Sequence, residues 1–118
     1  MFKLTALMAI AFLVASTSGT MSAPVTSEDL TGKTICWHSQ MLGDCTASYA
    51  ENGKYSNSES MFCGPAGEGT WALTPDGVKI DTDTHHYTSS IERLPDGTFL
   101  QSTKTTSITL KATGKYCK

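Results

Sequence analysis

The chain carries little charge and gathers neither sign: Asp, Glu, Lys and Arg make up 17% of its 118 residues. No run of basic residues offers a footprint for phosphates, which argues against nucleic acid as a partner. Neither a Gly-x-Ser-x-Gly elbow nor a His-Glu-x-x-His helix occurs, so serine and zinc hydrolase chemistry lack their usual anchors. The Cys-x-x-Cys spacing of a zinc site is missing, as is any Asn-x-Ser/Thr acceptor for N-glycosylation. No stretch sustains a helical period. Long apolar runs are equally scarce. The one that exists, Leu4 to Ala15, spans 12 residues, fewer than the ~20 a membrane helix needs. No membrane span is expected.

That run has a positive start in Lys3 and is followed by small residues, Ala15-Ser16-Thr17-Ser18-Gly19-Thr20. It reads as a secretory signal peptide over residues 1–20, and the protein as secreted or periplasmic. Residues 21–31 form a polar, flexible lead-in, and 32–118 a single domain. Removing Lys3 with the leader leaves 8 Lys and Arg against 11 Asp and Glu, a net charge of −3. A domain this small buries a limited core and gains from covalent staples. Four cysteines, Cys36, Cys45, Cys63 and Cys117, all follow the leader. An even count in an exported chain implies two disulfides, with three possible connectivities.

What is abundant is strand chemistry. Lys33 to Ser39 and Cys45 to Ala50 alternate, and Asn52-Gly53 marks a hairpin. Lys54 to Cys63 reads as a third strand, and Gly64-Pro65-Ala66-Gly67-Glu68-Gly69 as a loop. In Gly69 to Ile80 a two-residue Asp76-Gly77 turn would set Leu73 opposite Ile80, with Trp71, Leu73, Val78 and Ile80 on one buried face. The second arm runs from Val78 to about Thr88. Ser89 to Leu94, Thr98 to Thr105 and Ser107 to Thr113 follow, with Gly114 before the tail. Thr and Ser suit strands with one wet face. The fold class is all-β: an antiparallel meander of roughly seven or eight short strands, closed or half-open as a small barrel.

Strand parity bears on the disulfides. Cys45 shares a side with Ala47 and Tyr49, and Cys63 with Met61 and Tyr55, provided the Asn52-Gly53 connection sets Tyr49 opposite Tyr55. Cys36 lies off the Ile35/Trp37 face, and Cys117 off the side of Ile108, Leu110 and Tyr116. Partners on opposite faces are poorly placed to bond. Parity thus favours Cys45–Cys63 with Cys36–Cys117. The rival, Cys36–Cys45 across the first hairpin, needs a bulge at Gly43.

Few residues point to chemistry. Gly32-Lys33-Thr34 ends like a phosphate loop, but Ser27 stands where the first Gly belongs. Asp81, Asp83 and His85 would alternate onto one strand face, where they are candidate ligands for a divalent ion needing further ligands from elsewhere. A solvated outer face is the favoured reading of the three. Trp37, Tyr49, Tyr55, Trp71 and Phe99 either fill a barrel or line a pocket for an apolar ligand. Gly64, Pro65, Gly67 and Glu68 form a candidate binding loop. No cofactor is indicated. The expectation is a non-enzymatic binding protein, with a carrier of a small apolar ligand as one alternative.

Asp29-Leu30-Thr31-Gly32, Cys45, Cys63, Gly69-x-Trp71 and Leu73-Thr74-Pro75-Asp76-Gly77 together resemble the layout of the small periplasmic inhibitors of alkaline metalloproteases. The first half is also similar to short lipocalin-like secreted proteins of proteobacteria, through Gly32-Lys33-Thr34-Ile35, Tyr49 with Gly53, and Gly69-Thr70-Trp71. The resemblance implies a lipocalin-like, eight-stranded barrel. It also implies a second alternative function, inhibition of a secreted protease, in which the segment before Leu30 would enter the enzyme's cleft. Cys36 and Cys117 have no counterpart in the inhibitor pattern, and Thr34 stands where a Trp is expected.

Overall fold

The computed structural model describes residues 22–105 and 107–118; the expected signal peptide lies outside them. Its strands are β1 (Ala23–Pro24), β2 (Lys33–Ser39), β3 (Gly43–Tyr49), β4 (Lys54–Asn57), β5 (Gly67–Thr74), β6 (Gly77–Thr82), β7 (His86–Arg93), β8 (Phe99–Lys104) and β9 (Thr109–Tyr116). A single helical turn, α1, covers Ser27–Leu30. From β2 onward each strand pairs antiparallel with the next, and β9 returns to β2. The result is a closed eight-stranded barrel, with β1 added on β7 beside Glu92 and Arg93. Alternation places the side chains: Cys45, Ala47 and Tyr49 of β3 point inward, while Asp44, Thr46 and Ser48 face outward.

Eight strands enclose just enough room for side chains. Here Ile35, Trp37, Ala47, Tyr49, Val78 and Phe99 are among those that fill it. The Trp37 indole donates to Tyr49 Oη at 3.3 Å and meets Phe99 edge-on at 6.5 Å. Gly114 faces this indole from inside β9, not from a strand end. A Cβ there would lie 2.5 Å from the ring, so the glycine is the space into which Trp37 packs.

The barrel has two unlike ends. At one, the turns after β3, β5 and β7 are short, and the N-terminal segment folds across. Leu30 is fully buried and Val25 nearly so. Asp29 Oδ2 accepts from both Thr26 N and Thr26 Oγ1, at 2.8 and 3.0 Å, which fixes the start of α1. Arg93 lies 3.7 Å from the same carboxylate, and Tyr116 Oη donates to Asp29 O at 2.9 Å. Residues 22–31 are therefore an integral plug. Within the segment expected as a polar lead-in, Val25 and Leu30 are apolar anchors that a polar reading overlooks.

Three expectations need correction. In the central hairpin Leu73 pairs with Val78 and Trp71 with Ile80, so the turn is Pro75-Asp76. Pro75 holds φ near −65°, which forbids the positive φ that the favoured hairpin turns require at that position; Gly77 takes up the mismatch at φ 139°. The shared face survives, but Leu73 is 40% exposed and Trp71 only half-buried, leaving Trp37 as the larger core anchor. The third strand stops at Asn57, and the arm after Val78 breaks at Asp83-Thr84-His85.

Both disulfides are those favoured by parity, Cys36–Cys117 and Cys45–Cys63, and Tyr49 does pair with Tyr55. Cys63, however, sits in the loop after β4 rather than on a strand.

Candidate functional site

The other end, the mouth, is formed by the connections after β2, β4, β6 and β8. Its largest part is the loop of residues 58–66. Ser60 and Gly64 exchange backbone hydrogen bonds at 3.0 and 2.7 Å, and Ser60 Oγ accepts from Cys63 N at 2.9 Å. Asn57 Nδ2 donates to Pro65 O at 3.2 Å. The Cys63 sulfur is bonded to Cys45, itself buried inside β3, and Phe62 packs on the core. The loop is thus a lid, stapled to the interior of the barrel.

The turn between β6 and β7 supports it. Thr82 N donates to His85 O at 2.8 Å, and His85 N to Thr82 Oγ1 at 3.1 Å. The His85 ring then lies over Gly64, so close that a Cβ on Gly64 would sit 2.9 Å from Cε1. Of the sequence candidates, the fold brings His85 to the binding loop and not to the acids. Asp81 remains on β6, where it meets His86 Nδ1 at 3.0 Å and Lys79 Nζ at 3.9 Å. Asp83 turns into an outer groove beside Glu68, Ser56 and Lys54. The break after Thr82 interrupts the alternation expected to align Asp81, Asp83 and His85. Among the described residues, no group of three or more His, Cys, Asp or Glu is arranged to hold a metal ion.

The interior beneath the lid is polar but satisfied: Ser89 Oγ and Thr103 Oγ1 are 2.6 Å apart, and Ser39 Oγ accepts from Leu42 N at 3.2 Å. Deeper, Tyr49 and Tyr55 are held protonated well above the usual phenol range, chiefly because burial penalises the phenolate.

The rim carries residues that the sequence reading did not single out as a site, Met61 and Ile108 serving there only as markers of an apolar strand side. Met41 (after β2) is 81% exposed, Met61 (in the lid) 79%, and Ile108 (before β9) 54%. Each comes from a different connection, and all lie at one end. Their signal in the sequence is an apolar residue within a turn that polar residues would fill at no cost. Between the turn after β2 and the start of β9 lies a cleft of about 420 Å³, lined by Met41, Leu42, Ile108 and Leu110 among others. Such an arrangement offers apolar contact, with Lys111 on the same lining.

The architecture defines the class, an eight-stranded up-and-down antiparallel barrel carrying one extra edge strand. Compared with known proteins, the chain matches no family model, no curated protein and no solved structure.

Proposed function

We propose that this is a secreted or periplasmic, non-enzymatic binding protein that engages a protein partner through the rim of its mouth. The observation that supports it is the placement of Met41, Met61 and Ile108 on three separate connections around one opening, all solvent-exposed. Exposed apolar residues gathered at one place mark interaction sites, whereas scattered ones need no explanation. Filling of the interior by Trp37, Tyr49 and Phe99 weighs against a carrier with an internal ligand. It moves recognition to the outside.

Inhibition of a secreted protease fits the same surface. The segment from Ser22 to Thr31 is engaged in the plug, so an inhibitor would act through the lid, where Gly64 and Pro65 follow Met61; Gly67 and Glu68, expected in the same loop, belong instead to the start of β5. A loop held by a disulfide loses little conformational freedom on docking, which favours affinity.

The test is quantitative capture from the native extracellular or periplasmic fraction. Wild type would be compared with a Met41→Ser/Met61→Ser/Ile108→Ser variant and a closed-end Leu73→Ser control. A protein retained by wild type and control but lost by the rim variant is the expected result. A small molecule recovered equally from all three would overturn the reading in favour of a carrier.

A further inference from the structure

Among the described residues, barrel closure leaves part of one edge of β9 open. The β2–β9 register runs from Ile35↔Tyr116 to His38↔Thr113 and stops, whereas β9 continues back to Thr109 against β8 alone. The hydrogen-bond phase identifies the groups left over. Cys117 N donates to Thr34 O at 3.0 Å, and Thr105 N to Ile108 O at 2.8 Å. Because the ladder alternates, Thr113 directs its main chain towards β2, and Leu110 and Ala112 direct theirs towards β8. Thr109 and Lys111 therefore turn their N–H and C=O to the side that β2 has vacated. The seam opens on both sheet faces: Gln40 and Lys111 line the 420 Å³ cleft and also an outer groove of about 250 Å³.

We propose that this edge of β9 accepts an extended segment of a partner protein as an added strand, with apolar and acidic side chains alternating along it. The inference rests on the protein-binding role proposed above and deepens it. Side chains of an added strand would alternate between the two faces. On the inner face they would lie beside Leu110, Leu42 and Met41, which calls for apolar residues. On the outer face they would stand beside Lys111, with Lys104 and Lys115 exposed on the same side of the hairpin. Asp44, exposed on β3 beyond β2, is already engaged by His38 Nδ1. Opposite charge across a strand pair is favourable and like charge is not. That same charge disfavours a second copy, because edge-to-edge pairing would gather lysines on one face, a device that keeps edges apart.

The test uses the ¹⁵N-labelled, disulfide-bonded protein and two synthetic peptides, acetyl-Val-Glu-Val-Glu-Val-amide and its Lys analogue. The Glu peptide is expected to shift the Thr109 and Lys111 amides and to bind at least tenfold tighter than the Lys peptide. Lys111→Glu should reverse that order, which a general loss of structure would not do. Thr109→Pro removes an edge N–H but no β8 hydrogen bond; it should weaken both peptides about tenfold at an unchanged denaturation midpoint. The proposal is overturned if peptides at millimolar levels leave these amides unmoved, or if Lys111→Glu leaves the order unchanged. Concentration-dependent shifts of the same amides without peptide would overturn it too, by assigning the edge to a second copy. If the peptides fail while the rim variant still loses its captured partner, the edge proposal falls and the protein-binding reading stands.

Discussion

The two ends of the barrel solve the same problem differently. At the closed end Val25 and Leu30 are buried, and hydrogen bonds from Tyr116 Oη to Asp29 O and from Val25 N to Ile91 O tie the plug down. At the mouth the lid is fastened by a disulfide and by Phe62, yet Met41, Met61 and Ile108 stay in solvent. Apolar side chains at the first end add stability through burial, at about 1.5–3 kcal/mol for each large one. Those at the rim add almost none. That contrast in exposure is the observation on which the proposed binding role rests.

The comparison can be broken in several places. The largest effect belongs to Cys36–Cys117, which closes a loop of 81 residues, against 18 for Cys45–Cys63. In the chain-entropy model these loops correspond to about 4.5 and about 3 kcal/mol. Paired Cys→Ala variants compared by denaturant midpoint should keep that order; the reverse order would make the lid, not the barrel seam, the main staple. Next, Leu30→Ala should cost about 2–5 kcal/mol, and Gly114→Ala about 1–3 kcal/mol because its methyl overlaps the Trp37 ring. A Leu30→Ala midpoint within error of wild type would mean that the plug is dispensable.

A pH dependence follows from the interior. The phenols of Tyr49 and Tyr55 are raised by burial from an ordinary value of 10.0. Their contribution is complete below pH 10 and is lost as pH climbs from there towards the folded-state values. Each group should cost about 1.4 kcal/mol one pH unit above 10. Phenolate absorbance from these two should appear only together with loss of tertiary structure. Smallest of all, Met41→Ser and Met61→Ser should change stability by less than about 0.5 kcal/mol. A larger destabilisation by either would show that the rim is part of the core after all.

Much of the barrel was legible, for identifiable reasons. Lys33–Ser39 alternates without interruption and emerges as the strand expected. Parity correctly set Cys45 inward and Cys36 off the core face, because a side chain's face on a strand is fixed by counting; Cys63 lies beyond the end of β4, so its expected pairing with Cys45 came out right although the strand it was counted along does not reach it. What counting misses is where a strand stops. Asp83-Thr84-His85 continues the alternation on paper, and nothing local reveals that Thr82 will accept a hydrogen bond from His85 and turn the chain. The plug was hidden by length: four residues carry no helical period, although Thr26 and Asp29 at three-residue spacing are a start signal. The hairpin register hinged on choosing between Pro75-Asp76 and Asp76-Gly77, two turns one residue apart. The rim was invisible for another reason. Met41, Met61 and Ile108 come from connections far apart in sequence, and only closure of the sheet sets them at one opening.

The seam disulfide also makes most of the molecule a covalent ring. A protease cutting any turn between Cys36 and Cys117 produces two pieces that remain joined, and Cys45–Cys63 adds a second, inner ring around the first part of the lid. One scission at the exposed mouth therefore neither releases a fragment nor frees β9 from β2. In a compartment rich in proteases, the nicked chain would keep its shape and its mass until a reductant opened the ring.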